Sequence, residues 1–371
     1  MTKKLIFLAT EDWFVRSHFL PLVRRARKEG YDVAVAARDS GALASEGVRV
    51  IAMPFARRSF GPLAMWREAR AVRAMLESEA PALVHVIALK PILLALLALL
   101  AGRGGARRAL AVTGRGYIGV SRAPHLRILG ALLARWIRAA VRGGDALLVE
   151  NEADRAWVEA GAKLPDTHVT LMPGAGIDPA RFAAPPEPDG PFVVGAVSRL
   201  IWSKGLDLLV EAVRQLNARG RAIRLRIAGG ADAENPEAVP EATLARWRAT
   251  PGVELVGAIT DVAGFWAETH AACFPTRGGE GLPRSLLEAA ACGRALLVTD
   301  TPGCADFVRA ADAGVVVPPE SAALLSLALE SLMDSADARQ RFGAAARRHV
   351  LLNHTEQHAA DAAAAAWARL A

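Results

Sequence analysis

Short, nearly continuous apolar runs alternate in this chain with longer segments whose apolar residues recur every three or four positions. In the first half "KLIFLAT" precedes "SHFLPLVRRARKEG", "DVAVAA" follows, "LVHVIA" precedes "PILLALLALLAG", "RALAVT" precedes "HLRILGALLARWIRAAV", and "ALLVEN" precedes "EADRAWVEAG". An apolar run without polar alternation predicts a strand buried on both faces. Its regular alternation with helical segments predicts a parallel sheet with helices on both sides. The polar, proline-rich "AAPPEPDGP" from Ala183 to Pro191 suits neither a central strand nor a helix interior and predicts a linker.

The same grammar then restarts: "FVVGAVSRL", "GLDLLVEAVRQLNARG", "RLRIAG", "ATLARWRAT", "VELVG", "AACFPT", "PRSLLEAAACG", "ALLVTD" and "GVVVPP", with helices from about Ser321 onward. The expected organisation is α/β, two doubly wound domains facing across a cleft: residues 1–182, a linker at 183–191, and residues 192–350. The alanine-rich 351–371 segment is a good helix former and is expected to pack back on the first domain. Open sheets of this kind bind ligands beyond the carboxyl ends of their strands, so functional residues are expected on the loops that follow strands.

A length of 371 residues is enough for two such cores. The N-terminal "MTKKLIFLATEDWF" has basic residues and a short apolar run, but the run ends at Glu11-Asp12 without a small-residue cleavage site, and it reads as a first buried strand. The longest apolar run, "ILLALLALLA" from Ile92 to Ala101, falls well short of the roughly 20 residues that span a bilayer, so no transmembrane helix is predicted. Cys273, Cys292 and Cys304 form neither a disulfide framework nor a zinc pattern, which fits a reducing, cytoplasmic setting.

Charge is divided unequally. Residues 1–190 carry 27 Lys and Arg against 18 Asp and Glu, while residues 191–371 carry 18 against 20. A basic first half points to an anionic membrane surface or a phosphorylated substrate. With aromatics at 6% and no nucleic-acid motif, no nucleic-acid partner is expected.

The stretch "TRGGEGLPRSLLEAAACGRALLVTDTPG", Thr276 to Gly303, carries the main candidate chemistry. The strand "AACFPT" ends at Thr276, a glycine-rich loop follows, and Pro283 suits the start of a helix, so Glu280 belongs to the loop and Glu288 to the helix. Gly278, Gly279 and Gly281 allow close backbone approach to a ligand, and the helix start beyond Leu282 offers free N–H groups to an anion. A carboxylate accepts hydrogen bonds from adjacent hydroxyls, so one glutamate for a ribose and one for a sugar is the reading the pattern suggests. In "VSRLIWSKGLD", Arg199 and Lys204 flank a loop opening another helix, an arrangement suited to a diphosphate.

No D-x-D triplet occurs, and the eight histidines form no metal-spaced pair beyond "HTEQH" (His354, His358), so no required metal is expected. Gly114, Gly116 and Gly119 in "VTGRGYIGV" match G-x-G-x-x-G, but no acidic residue follows about 20 positions on, which argues against NAD.

These residues resemble the retaining, nucleotide-sugar-dependent glycosyltransferases of family four (group one), and the resemblance spans essentially the whole chain. Its hallmark is two glutamates separated by seven residues, here Glu280 and Glu288, followed by "AAACGRALLVTDTPGC". The resemblance implies a GT-B fold of two Rossmann-like domains, Glu280 at the donor sugar, Glu288 on the nucleotide ribose, and Arg199 with Lys204 neutralising the diphosphate of a UDP-sugar, without a cofactor or metal. "ATEDWFVRSHFLPL", "HVIALKP" and "TGRGY" are similar to the subgroup acting on polyprenyl-diphosphate-linked glycans in surface-polysaccharide assembly, such as the bacillosaminyl-diphospho-undecaprenol N-acetylgalactosaminyltransferases. One departure is Ile87, where many members have a second histidine two residues after the one matching His85; Lys90 or backbone groups are the expected substitutes.

The first domain would receive the acceptor, with Asp12, His18, Lys90 and Tyr117 as candidate contacts. Its basic segments, including "RAPHLRILGALLARWIRAAVRGG", would rest on anionic lipid at the inner face of the cell membrane. Two other readings stay open on the residues alone: a sugar-nucleotide epimerase of the same fold, and a non-catalytic protein closing over a small ligand.

Overall fold

The computed structural model describes residues 3–56, 61–99, 105–116, 118, 123–232 and 234–370. It divides into two compact units, Met1–Gly176 with Glu356–Ala371, and Ile177–Thr355.

The first unit is built on β1 (Lys4–Glu11), β2 (Asp32–Arg38), β3 (Arg49–Ala52), β4 (Leu83–Ile87), β5 (Arg107–Val112), β6 (Ala146–Val149) and β7 (Val169–Leu171), ordered β3-β2-β1-β4-β5-β6-β7 with parallel neighbours. The continuous apolar run of β1 serves both faces, because successive side chains of a strand point to opposite sides. Leu5, Phe7 and Ala9 join one core cluster, and Ile6 and Leu8 the other. The first cluster is closed by the helix Glu356–Leu370, whose Ala359, Ala360, Ala363, Ala366 and Trp367 are buried at helical spacing.

The second unit contains β8 (Phe192–Val197), β9 (Ile223–Ala228), β10 (Val253–Gly257), β11 (Ala271–Phe274), β12 (Ala295–Thr299) and β13 (Gly314–Val317), ordered β10-β9-β8-β11-β12-β13, again with parallel neighbours. Both units have the expected α/β architecture. In each, the chain reverses its direction of travel across the sheet once, between β1 and β4 and between β8 and β11. These switch points are where loops diverge and leave a crevice at the carboxyl ends of the strands.

The expected linker is displaced. The second unit begins at Ile177, whose N–H bonds the carbonyl of His354 at 3.0 Å. Residues Ala183–Pro191 are bound to that unit: buried Arg294 donates to the carbonyls of Pro185 and Pro186, and Arg339 grips the Glu187 carboxylate at 2.7 Å. A proline-rich segment without strand or helix is thus fixed by two arginines distant in sequence. The helix Ala336–Asn353 also runs past residue 350 within the second unit, and only Glu356 onward returns to the first. The three cysteines are free and buried, and no helix among the described residues is long and apolar enough to cross a membrane.

Candidate active site

The loops after β8 and β11 meet at the switch point of the second unit. The strand β11 ends at Phe274, and the following loop is held at Thr276, whose carbonyl accepts from the Thr299 hydroxyl at 2.5 Å. Thr276 Oγ1 and the Arg277 N–H in turn bond the Ser203 carbonyl, at 3.1 and 2.8 Å, joining this loop to the one after β8. Gly205 permits that approach: it has φ of +66°, and a Cβ there would lie 2.0 Å from the Pro275 carbonyl oxygen. These bonds bring Lys204 into contact with Glu280.

Both residues line one pocket with Ala196, Ser198, Pro283 and Ser285. Two helix N-termini adjoin it, Leu206–Ala218 behind Gly205 and Arg284–Ala291 behind Pro283, and neither carries a side-chain cap. Their N–H groups and dipole ends make the pocket favourable to an anion. Burial pulls the Lys204 pKa down to about 7, with repulsion from Arg199 acting in the same direction. Cys304 and Glu237 nearby act in the opposite direction.

The other expected donor residues are placed as follows. Arg199 pairs with Asp232 at 2.9 Å. Glu288 lies in the helix Arg284–Ala291, is 8% exposed and accepts from Arg284 at 2.9 Å. Burial raises its pKa, and Arg284 works against the rise. Glu288 is not among the residues lining the Lys204–Glu280 pocket. Gly279 and Gly281 belong to the loop around Glu280, whereas the Leu282 side chain is buried in the core, which leaves only its backbone for a ligand.

Arg277 is a site residue that the sequence reading passed over. Its guanidinium binds both Asp207 oxygens at 2.9 Å and both Glu320 oxygens at 3.0 and 3.1 Å. It clamps the glutamate loop to the start of the helix Leu206–Ala218. No local spacing signals a partner 70 residues away, while the Arg284–Glu288 pair was readable from its i,i+4 separation.

In the first unit, two expected acceptor contacts are engaged by partners within the unit. Asp12 is fully buried, and its carboxylate accepts from Trp13 N–H (2.7 Å), Ser40 N–H (3.0 Å), Ser40 Oγ (2.5 Å) and Ala42 N–H (2.9 Å), organising the loop after β2. Burial alone would raise its pKa, but these donors prevail and lower it. Lys90 is enclosed by Glu68 at 2.9 Å and the Ala56 carbonyl, so it is committed to a nearly buried ion pair. Tyr117 lies outside the described residues.

His18 does face a pocket, whose lining includes His85, Thr113, Glu150, Gly174 and Ala175. His18 Nδ1 is 2.7 Å from Ser17 Oγ, and the ring packs on Phe14 with centroids 4.6 Å apart. His85 was identified from sequence only as the neighbour of Ile87, yet it lines this pocket. The strand carrying both is followed by a left-handed non-glycine residue, Ala88, with φ of +72°, a strained conformation of the kind found at ligand sites. Among the described residues, no group of three or more His, Cys, Asp or Glu is placed to hold a metal ion.

Two parallel-sheet units, each with a pocket at its carboxyl edge, and the second with a paired lysine and glutamate beside two helix N-termini, have the architecture of a GT-B glycosyltransferase. The chain belongs to this enzyme family: the profile of the "Glycosyl transferases group 1" matches residues 191–335 and that of the "Glycosyl transferase 4-like" family matches residues 4–149, together more than three quarters of its length. It is 24% identical over 43% of its length to the capsular polysaccharide biosynthesis glycosyltransferase CapM of Staphylococcus aureus, covering 41% of that protein. It is 28% identical over 40% of its length to the N,N'-diacetylbacillosaminyl-diphospho-undecaprenol alpha-1,3-N-acetylgalactosaminyltransferase of Campylobacter jejuni, covering 37% of that protein. The chain therefore spans about two fifths of each of these relatives. Its fold resembles that of Anabaena HepE, solved in complex with UDP-glucose, with a TM-score of 0.75, 15% identity, and coverage of 97% of this chain and 98% of the other.

Proposed function

We propose that this glycosyltransferase moves a hexose or N-acetylhexosamine from a UDP-sugar to a polyprenyl-diphosphate-linked glycan in surface-polysaccharide assembly, with retention of configuration and without a metal. The observation that carries this reading is the Lys204–Glu280 contact in a pocket flanked by two uncapped helix N-termini. As the glycosidic bond breaks, negative charge develops on the departing diphosphate. Lys204, Arg199 and the helix N–H groups are fixed donors that stabilise it. Glu280, released from Lys204 by the incoming diphosphate, is then available to the sugar hydroxyls, and Glu288 to the ribose.

The relatives that act in capsule synthesis and on an undecaprenol-linked acceptor support the choice of acceptor class, and HepE, bound to UDP-glucose, supports the choice of donor. A peripheral membrane location at the inner face is supported by the helix Pro124–Arg142. One side is buried through Leu133, Ala134, Ile137 and Val141, while Ile128, Leu129, Leu132 and Trp136 are exposed beside Arg127 and Arg135. The test is incubation with a panel of UDP-sugars and undecaprenyl-diphosphate-linked saccharides in the presence of EDTA, followed by NMR of the product. An α-linked product from an α-configured donor, formed at an undiminished rate in EDTA, supports the proposal. Inversion or abolition by EDTA contradicts it.

A further inference from the structure

His85 is wholly buried on β4, and its two ring nitrogens have different environments. Nδ1 lies 3.1 Å from Trp367 Nε1 on the helix Glu356–Leu370. An indole N–H can only donate, so Nδ1 must be the unprotonated, accepting nitrogen, and the neutral ring carries its proton on Nε2. Nε2 is buried and has no hydrogen-bond partner among the described residues. Phe7, Phe19 and Trp367 pack around the ring at centroid distances of 5.2, 6.4 and 5.7 Å, fixing its plane. A buried N–H without a partner is costly, so it marks a place where a ligand atom would be gained at little expense.

The geometry points to the pocket at the carboxyl ends of β4, β5 and β6 as a subsite for a sugar hydroxyl, with His85 Nε2–H as its donor and Trp367 as the positioning residue that sets the tautomer. The pocket has room for about one water-sized group, and its lining combines the Thr113 hydroxyl, the Glu150 carboxylate and the backbone of Gly174 and Ala175 with apolar Leu148 and Met172. A buried N–H donor in a space of that size matches a single hydroxyl projecting from the edge of a pyranose ring. A phosphate fits the same site poorly, because it is larger than that space and the neutral His85 supplies no charge to hold it. Burial keeps the imidazole neutral, its pKa pulled down to about 3. This assignment also gives the first unit a histidine donor where Ile87 supplies none. It rests on reading the first unit as the acceptor side.

The experiment uses full-length protein with ¹⁵N-labelled histidine, titrated with methyl α-glucopyranoside or with inorganic phosphate while the ring signals are followed by NMR. The expected result is an Nε2–H tautomer in the free protein, His85 signals shifted by the glycoside and unmoved by phosphate. Trp367→Phe, which keeps the ring packing but removes the N–H, should give mixed tautomers and about tenfold weaker glycoside binding. His85→Gln, which retains a donor, should bind the glycoside more tightly than His85→Leu. Melting curves identify any variant that has lost its fold, and the wild-type spectra alone still decide the question. An Nδ1–H tautomer, a glycoside that leaves His85 unmoved, or a response to phosphate overturns the assignment. UDP binding to the second unit is independent of every one of these outcomes, so failure here is distinguishable from failure of the donor reading.

Discussion

Lys204 and Glu280 stand 76 residues apart in the chain and meet only because two strand-end loops are bonded together. On the proposed reading a diphosphate at Lys204 would compete with the Glu280 carboxylate, which separates the effects expected of the two residues. Lys204→Ala should weaken UDP binding about 10- to 100-fold, the range for loss of a hydrogen bond to a charged group. Glu280→Gln should leave UDP binding within about threefold of wild type while lowering turnover roughly 100- to 1,000-fold, as expected for a group that acts on the reacting sugar. Calorimetric titration with UDP and steady-state turnover check the pair, and equal losses of UDP affinity in both variants would contradict the assignment. His85 gives a pH prediction at the same scale. Its folded pKa of about 3 lies below the ordinary value of 6.5, so between those values the unfolded chain binds the extra proton and stability falls as pH falls. Denaturant midpoints measured across that window should drop less steeply in His85→Gln than in wild type.

Among the elements, the loop after β8 depends on a glycine. Gly205→Ala would place a Cβ against the Pro275 carbonyl at a left-handed φ, and should cost about 1–3 kcal/mol and weaken UDP binding as Lys204 is displaced. Urea denaturation of the variant checks this, and an unchanged midpoint would mean that the two loops are not mutually fixed. Elements with long apolar runs were legible from sequence: β1, β4, β5, β6 and the strands of the second unit announce themselves because they are buried on both faces. β3 and β7 lacked that signal because both are sheet edges, four and three residues long, with no fully buried residue. The Glu280 loop, the Glu288 helix and the Arg199/Lys204 loop could be read from strand-loop-helix grammar. What could not be read was the partner of each charge. Asp12 and Lys90 resembled free polar residues on strand-end loops, but the fold brings the 40–42 loop to one and Glu68 to the other, contacts between segments with no shared local pattern. Arg277 escaped notice for the same reason.

For the whole molecule, the chain leaves the first unit at Gly176 and returns to it at Glu356, so the first unit's core is completed by the last helix. Truncation after Thr355 would expose the face covered by Ala359, Ala363 and Trp367. It should unfold or loosen the first sheet while leaving amide protection in the second unit intact, as read by hydrogen exchange. Replacing Leu132 and Trp136 by serine should reduce co-sedimentation with phosphatidylglycerol vesicles without changing UDP binding, if the exposed face of the helix Pro124–Arg142 meets lipid. The central claim is that the second unit is a nucleotide site organised around Lys204, Glu280 and Glu288. The most direct measurement is thermal stabilisation of wild type and Glu288→Gln by UDP, with GDP and NAD as comparators, at about 100 times the dissociation constant, where a specific ligand adds roughly 2.7 kcal/mol to the native state. The account predicts a shift selective for UDP in wild type that is largely lost in the variant; no UDP shift, or one that Glu288→Gln leaves unchanged, would contradict it.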